Sequence, residues 1–265
     1  MSSINKLTLA KNLTARVNGL CSGLENGTAE ILNLVSDTTA ELLRWWFQQD
    51  YMDMRHPLNF HEGQKQAILN TLYAHEVLGV KTLKDLYAEI APDVVLGNHH
   101  AAQIIRADKN AYPKYCMKMA TGTGKTWVLQ ALIIWQLLNA NRNKESDRFT
   151  RNFLVVAPGL IVYDRLLDAF MGKQRGGERN NFETSDIKKF AELFIPETYR
   201  DEVFRFVQGA VCPKEDIGRK VTSGGLLAIS NWHILSEEGE ESEADEISAP
   251  GADRDPKAVI EDLLP

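Results

Sequence analysis

Residues Met119 to Thr126 read Met-Ala-Thr-Gly-Thr-Gly-Lys-Thr, and their flanks narrow the fold more than any other feature. Before them, Tyr115–Met119 is a short, largely apolar run that reads as a buried strand. After them, Gly124 to Asn139 is a helix with apolar residues on nearly every side, a pattern that belongs inside a fold. Phe153–Ala157 is a second strand, ended by Pro158-Gly159, and Ile161–Phe170 returns to helical spacing. Leu226–Ser230 is a third strand candidate. Strand, helix, strand and helix at these lengths predict βαβ units on a parallel sheet, an α/β fold.

The chain ahead of this pattern reads as helical. Thr38 to Tyr51 places Leu42, Leu43, Trp45, Trp46 and Phe47 within two turns, with Ser36-Asp37 as a cap. Gly63 to Leu78 repeats Ala67, Ile68, Leu72 and Ala74 along one face, and Leu83–Ile90 forms a shorter helix closed by Ala91-Pro92. Asn98 to Pro113 has no clear period and reads as a connecting loop. Further on, Gly172–Asn181 is a polar loop, and Ser185–Phe194 and Glu197–Gln208 are helical.

The turn at Met119–Thr126 has a chemical reading. Polyphosphate binding needs concentrated positive potential without bulk, because the anion must approach the backbone closely. Gly122 and Gly124 permit the bend that aims successive N–H groups at one point, with Ala120, Thr121 and Thr123 filling the turn. The helix beyond adds the positive end of its dipole. Lys125 would reach the β- and γ-phosphates of ATP, as the catalytic group, and the Thr126 hydroxyl would hold Mg²⁺. Thr-Gly-Thr-Gly-Lys-Thr arises by chance in on the order of one such chain in 10⁵, so an ordinary helix-capping turn is a poor account of it. One departure stands: Met119 occupies the first glycine position of the strict GxxxxGK[ST] pattern.

With that departure, Met119–Thr126 resembles motif I of superfamily 2 helicases, and most closely the helicase-type Res subunits of type III restriction enzymes. Asn59-Phe60-His61-Glu62-Gly63-Gln64-Lys65-Gln66-Ala67-Ile68 resembles the glutamine motif upstream of it. Phe153–Leu160 resembles motif Ia, which touches the nucleic-acid backbone, and Leu227–His233 sits where such proteins carry their next strand and loop. The resemblance covers about Asn59 to Leu235. It implies a RecA-like P-loop parallel sheet with flanking helices, preceded by a helical N-terminal region and apparently incomplete.

The implied domains are a helical arm over 1–58, a partial ATP-binding lobe over 59–235, and an acidic loop with a C-terminal segment over 236–265. The implied activity is that of an ATP-dependent motor lobe, coupling hydrolysis to translocation on duplex DNA in a longer protein, with a modification methyltransferase as partner subunit. Gln64 becomes the adenine reader, since an amide offers both a donor and an acceptor to the base edge, and Phe60 a surface for stacking. The alternative for Gln64 is a polar position on a solvated helix face. Trp232 and His233 read as core and loop residues as readily as functional ones, and Trp45-Trp46 as packing.

Hydrolysis in such proteins uses an Asp-Glu pair at the end of a hydrophobic strand. Asp245-Glu246 is the pair in the right part of the chain, but Glu240-Glu241-Ser242-Glu243-Ala244 precedes it and reads as a solvated acidic loop. The chain therefore reads as the N-terminal piece of a longer protein, and its alternative function is ATP binding without turnover. A small-molecule P-loop kinase is disfavoured, because such enzymes keep the first loop glycine.

Composition sets the remaining bounds. The 265 residues are 44% hydrophobic and 25% charged, the balance of a globular protein. Ser236 to Pro256 carries nine acids against Arg254, a net of −8, while the whole chain stands at −6; the remainder is therefore +2, and charge neither demands nor forbids a nucleic-acid partner. Cys21, Cys116 and Cys212 lie far apart, which argues against a disulfide framework and for a cytoplasmic location. The apolar run Trp127 to Ala140 is too short to span a bilayer, so no membrane role is expected. His56, His61, His99 and His100 lack metal-ligand spacing.

Overall fold

A computed structural model describes residues 7–174, 180–220 and 222–232. The predicted acidic loop, His233, Asp245-Glu246 and the helical run Pro256–Leu264 lie outside them. The chain divides into two compact units, one of residues 1–149 with 192–196 and one of 150–191 with 197–265.

The first unit is helical. Its elements are α1 (Thr8–Leu20), α2 (Asp37–Phe47), α3 (Gln49–Met54), α4 (Glu62–Leu72), α5 (Leu83–Ile90), α6 (Pro92–Leu96), α7 (His99–Arg106) and α8 (Lys125–Arg142). The expected Ser36 cap is present, its hydroxyl accepting from the Thr39 N–H of α2. Helix α8 buries Val128, Ala131, Ile134, Trp135, Leu138 and Asn139, as its all-round apolar sequence requires. Trp45 and Trp46 pack as expected, donating from Nε1 to the Glu192 and Phe194 carbonyls at 3.1 and 2.9 Å.

Two expectations fail in this unit. The supposed loop Asn98 to Pro113 contains α7, capped by the Asn98 side chain accepting from the Ala101 N–H at 3.0 Å. Its buried face is Ala101, Ala102 and Ile105, too small a stripe to announce a period. Tyr115–Met119 forms no strand and is mostly exposed, with Met117 at 38%. Lys114 precedes the run and Lys118 interrupts it, so it lacks the two apolar faces of a buried strand. A side chain anchors it instead: the Tyr115 hydroxyl lies 3.3 Å from His75 Nδ1, and burial pushes the Tyr115 phenol up to about 12.

Helix α4 continues into a wide π turn, Tyr73–Val77, which turns Glu76 inward to 5% exposure. Its carboxyl oxygens accept from the Ser36 N–H (2.6 Å), the Thr39 hydroxyl (2.8 Å) and the Trp135 indole (3.0 Å). Asn139 joins by donating to Thr39 Oγ1 at 2.9 Å. Arg148 satisfies the Glu76 carbonyl at 2.8 Å, a cation at a helix C-terminus. One buried polar cluster thereby ties α2, α4 and α8 together.

The second unit is an α/β unit. A three-stranded parallel sheet runs in the order β1 (Asn152–Ala157), β3 (Leu226–Asn231), β2 (Val211–Pro213), with Phe153 opposite Leu227 and Cys212 opposite Ala228. Central β3 is buried on both faces, as parallel strands are. Helix α9 (Leu160–Met171) packs on β1 and β3, and α12 (Arg200–Ala210) on β2 and β3; α10 (Asp186–Lys189) lies between them in sequence, whereas α11 (Ala191–Phe194) falls in the first unit from Glu192 on. β2 escapes sequence reading, because three residues ending in proline carry no strand period. The whole is a mostly helical α/β structure with a small open parallel sheet, consistent with a partial RecA-like domain behind an N-terminal helical region.

Replacing Glu76 with leucine strands the Ser36 N–H and the Thr39 hydroxyl, each costing about 1–3 kcal/mol, and leaves the Trp135 indole with Thr39 Oγ1 as its acceptor. Denaturant unfolding of Glu76→Leu is expected to show a loss of at least about 2 kcal/mol. A change below about 1 kcal/mol would mean that the cluster does not hold the helices.

Candidate phosphate-binding loop

The bend between Met119 and α8 is built by two glycines in the left-handed region, Gly122 at φ 81° and Gly124 at φ 72°. An L-residue there costs about 1–2 kcal/mol, so the sequence pattern and the backbone agree. Gly124 is also the N-cap of α8, which begins at Lys125 with no side-chain cap. The first N–H groups of a helix have no acceptor within it, and the positive end of the helix dipole lies among them.

Inside the bend the Ala120 carbonyl organises three donors. It accepts from the Thr123 hydroxyl at 2.7 Å, from the Lys125 ammonium at 2.8 Å and from the Thr123 N–H at 3.4 Å. Lys125 is exposed, and its ammonium lies back across the mouth of the loop rather than away from it. Thr126 sits in the first turn of α8, half-buried beside it. Ala120, Thr121 and Gly122 are exposed, so the outer rim of the loop is open to solvent.

Gln64 closes the loop from behind. It stands in the first turn of α4 and is 1% exposed. Its Nε2 donates to the Thr123 and Gly124 carbonyls at 3.1 and 3.3 Å, while its Oε1 accepts from the His61 N–H at 2.8 Å. A Cβ added at Gly124 would collide with that amide nitrogen, so two constraints meet at this position. Phe60 lies in an aromatic cluster, its ring 6.1 Å from Trp46, 5.9 Å from Phe47 and 6.0 Å from Phe194. Trp127, in the first turn of α8, meets Phe194 edge-on at 5.9 Å.

The structure thus brings together Gln64, Ala120, Thr121, Gly122, Thr123, Gly124, Lys125 and Thr126 in one unit. The motif Ia-like stretch lies in the other: β1 ends at Ala157, and α9 starts at Leu160 with Leu160 and Ile161 exposed. Asn231 ends β3, buried, with its Oδ1 unpaired. Among the described residues no cluster of metal-ligating side chains occurs, and no helix is long and apolar enough to cross a membrane. Sequence reasoning missed the Ala120 carbonyl and the Glu76 cluster. Neither has a signal, since one is backbone and the other is assembled from residues 36 to 139.

The donor set fits ATP and Mg²⁺. The bend offers backbone N–H groups at a helix start, an exposed ammonium on its rim and a hydroxyl in the first helical turn, with no carboxylate among the loop residues to repel an anion. The model of the family described as type III restriction enzyme, res subunit, matches residues 57–206, more than half of the chain. No curated protein and no solved structure matches it. The chain belongs to that family, and carries a helicase-like ATP-binding module of the type III restriction kind.

The two glycines separate by substitution. Gly122→Ala meets open space and should cost about 1–2 kcal/mol, the left-handed penalty alone. Gly124→Ala adds the collision with Gln64 and should cost roughly 2–4 kcal/mol. Equal losses in thermal or denaturant unfolding would contradict this packing.

Proposed function

We propose that residues 59–235 form the ATP-binding motor lobe of a restriction-type DNA translocase, preceded by the helical arm 1–58 and followed by the acidic segment 236–265. The observation that carries this reading is the loop of Ala120–Thr126, which puts two positive-φ glycines, a helix start and an exposed lysine in one bend, in a chain of the Res family. On this reading Gly122 and Gly124 let the anion approach the backbone, and Lys125 exchanges the Ala120 carbonyl for the β- and γ-phosphates. Thr126 would hold Mg²⁺ by its hydroxyl, where the ion would supply positive charge to the terminal phosphates.

Hydrolysis would be coupled to stepping along duplex DNA, with a modification methyltransferase as the partner subunit. Both are general features of the family and support the same reading. A cytoplasmic location follows from the need to reach DNA.

A second reading keeps the same loop but assigns binding without turnover. It is favoured by one observation: Asp245-Glu246 follows an acidic stretch rather than an apolar strand. Steady-state ATP hydrolysis with and without duplex DNA separates the two. Robust DNA-stimulated turnover by this chain would eliminate the second reading, and ATP binding with no turnover would support it.

Both readings share one mutational consequence. Lys125→Ala removes a charge-assisted contact to the phosphates and should weaken ATP binding by about 2–4 kcal/mol in calorimetry. Unchanged affinity would defeat the phosphate-loop assignment.

A further inference from the structure

The chain holds 36 acidic residues in 265, yet none falls between Asp108 and Glu145. Much of that interval is the interior helix α8, where a charge would be costly to bury. The stretch ahead of the phosphate loop is the opposite: Lys109, Tyr112, Lys114 and Lys118 are all exposed, Tyr112 at 57%. With Arg106, residues 106–118 hold four bases against Asp108 alone, a net of +3.

The backbone draws these cations together. Arg106 stands exposed in the last turn of α7, and Asn110 Nδ2 donates to the Ile104 carbonyl at 2.6 Å, turning the chain back on that helix end. The Lys114 ammonium donates to the Lys109 carbonyl and closes the turn. Beyond it, Tyr115 and Met117 reach α4, at His75 Nδ1 (3.3 Å) and the Thr71 hydroxyl (3.4 Å). Lys114, Cys116 and Lys118, beside and between them, stay exposed. Lys65 and Lys81 of the same unit pair with Glu25 and Asp147. Among the described residues, no carboxylate lies within ion-pairing distance of Arg106, Lys109, Lys114 or Lys118.

Exposed, unpaired cations bind a polyanion by displacing its counterions, whatever its sequence. By chain length Lys118 lies within about 14 Å of Lys114, a span over which duplex DNA presents on the order of eight phosphate charges. The Tyr112 hydroxyl, between Lys109 and Lys114, is a further donor of the kind that contacts phosphate. An acidic protein fits less well, because lysine is depleted from protein–protein interfaces and three of these four cations are lysines.

We propose that Arg106, Lys109, Tyr112, Lys114 and Lys118 form a docking face for the phosphate backbone of duplex DNA. It lies in the first unit, whereas Phe153–Leu160, the stretch that resembles motif Ia, lies in the second. The inference goes beyond the nucleotide site: none of these residues belongs to the Ala120–Thr126 loop, so either assignment can fail alone.

The test is fluorescence anisotropy of the full 265-residue chain with a short fluorescein-labelled DNA duplex across a salt series. Lys109→Ala, Lys114→Ala and Lys118→Ala should each reduce the slope of log affinity against log salt by about 1. Combined, they should weaken binding by at least about tenfold at low salt, alike for two unrelated duplex sequences. Lys81→Ala and Lys144→Ala, whose lysines stand beside Asp147 and Glu145, should change neither affinity nor slope. Should the triple variant fail to fold, wild-type protein decides: bound duplex should shield Lys109, Lys114 and Lys118 from amine acetylation and leave Lys81 reactive. Unchanged affinity in the triple variant, equal losses from the control lysines, or no shielding would overturn the proposal. Tighter binding to polyglutamate than to the duplex would overturn it in favour of an acidic protein partner.

Discussion

The peptide units around Gly124 have two sides, and the binding loop depends on both. Their carbonyls face inward, to Gln64 and to the first turn of α8, and their N–H groups face outward at a helix start. Neither side works alone. Without a buried donor behind it, a glycine-rich bend would sample many shapes, because glycine loses more conformational freedom on ordering than any other residue. With the donor in place, the flexibility that lets an anion approach closely is already restricted before the anion arrives.

Helix α4 is the strut that makes this possible. Gln64 stands in its first turn, and the π turn that continues it ends in the Glu76 cluster, about 18 Å further along. There Glu76, Thr39, Trp135 and Asn139 fix α4 to α2 and α8. α8 is thus held against α4 near its N-terminus and again at mid-length. The helical region ahead of the loop therefore sets the position of α8, and so of Lys125 and Thr126. Beside Glu76, His75 meets Tyr115, so the segment leading into the loop is tethered to the same turn.

The sequence was most informative where a residue type has one physical use. Two glycines beside Lys-Thr imply a bend with positive φ before a helix, and Gly122 and Gly124 are both in that region. All-round apolarity implied that α8 is interior, and Leu226–Asn231 is the two-sided buried strand that its composition suggests. Legibility failed where structure depends on assembly. Tyr115–Met119 has apolar residues but no strand partner among the described residues, and α7 hides behind a face of alanines. Gln64 was legible as a residue of interest, yet its neighbours were not: nothing in one dimension places the Thr123 and Gly124 carbonyls beside it. Family membership supplies the class of function, whereas the hydrogen-bond partners show which atom can do what.

The most direct measurement is backbone amide NMR of the full chain with ¹⁵N-labelled glycine and lysine during titration with Mg-ATP. Gly122, Gly124 and Lys125 are expected to show the largest shifts, while Gly172 and Gly225, also at positive φ but in the other unit, stay in place. Saturable binding that leaves the Gly124 and Lys125 amides unmoved would contradict the phosphate-loop assignment, since the ligand would then be held somewhere other than this bend.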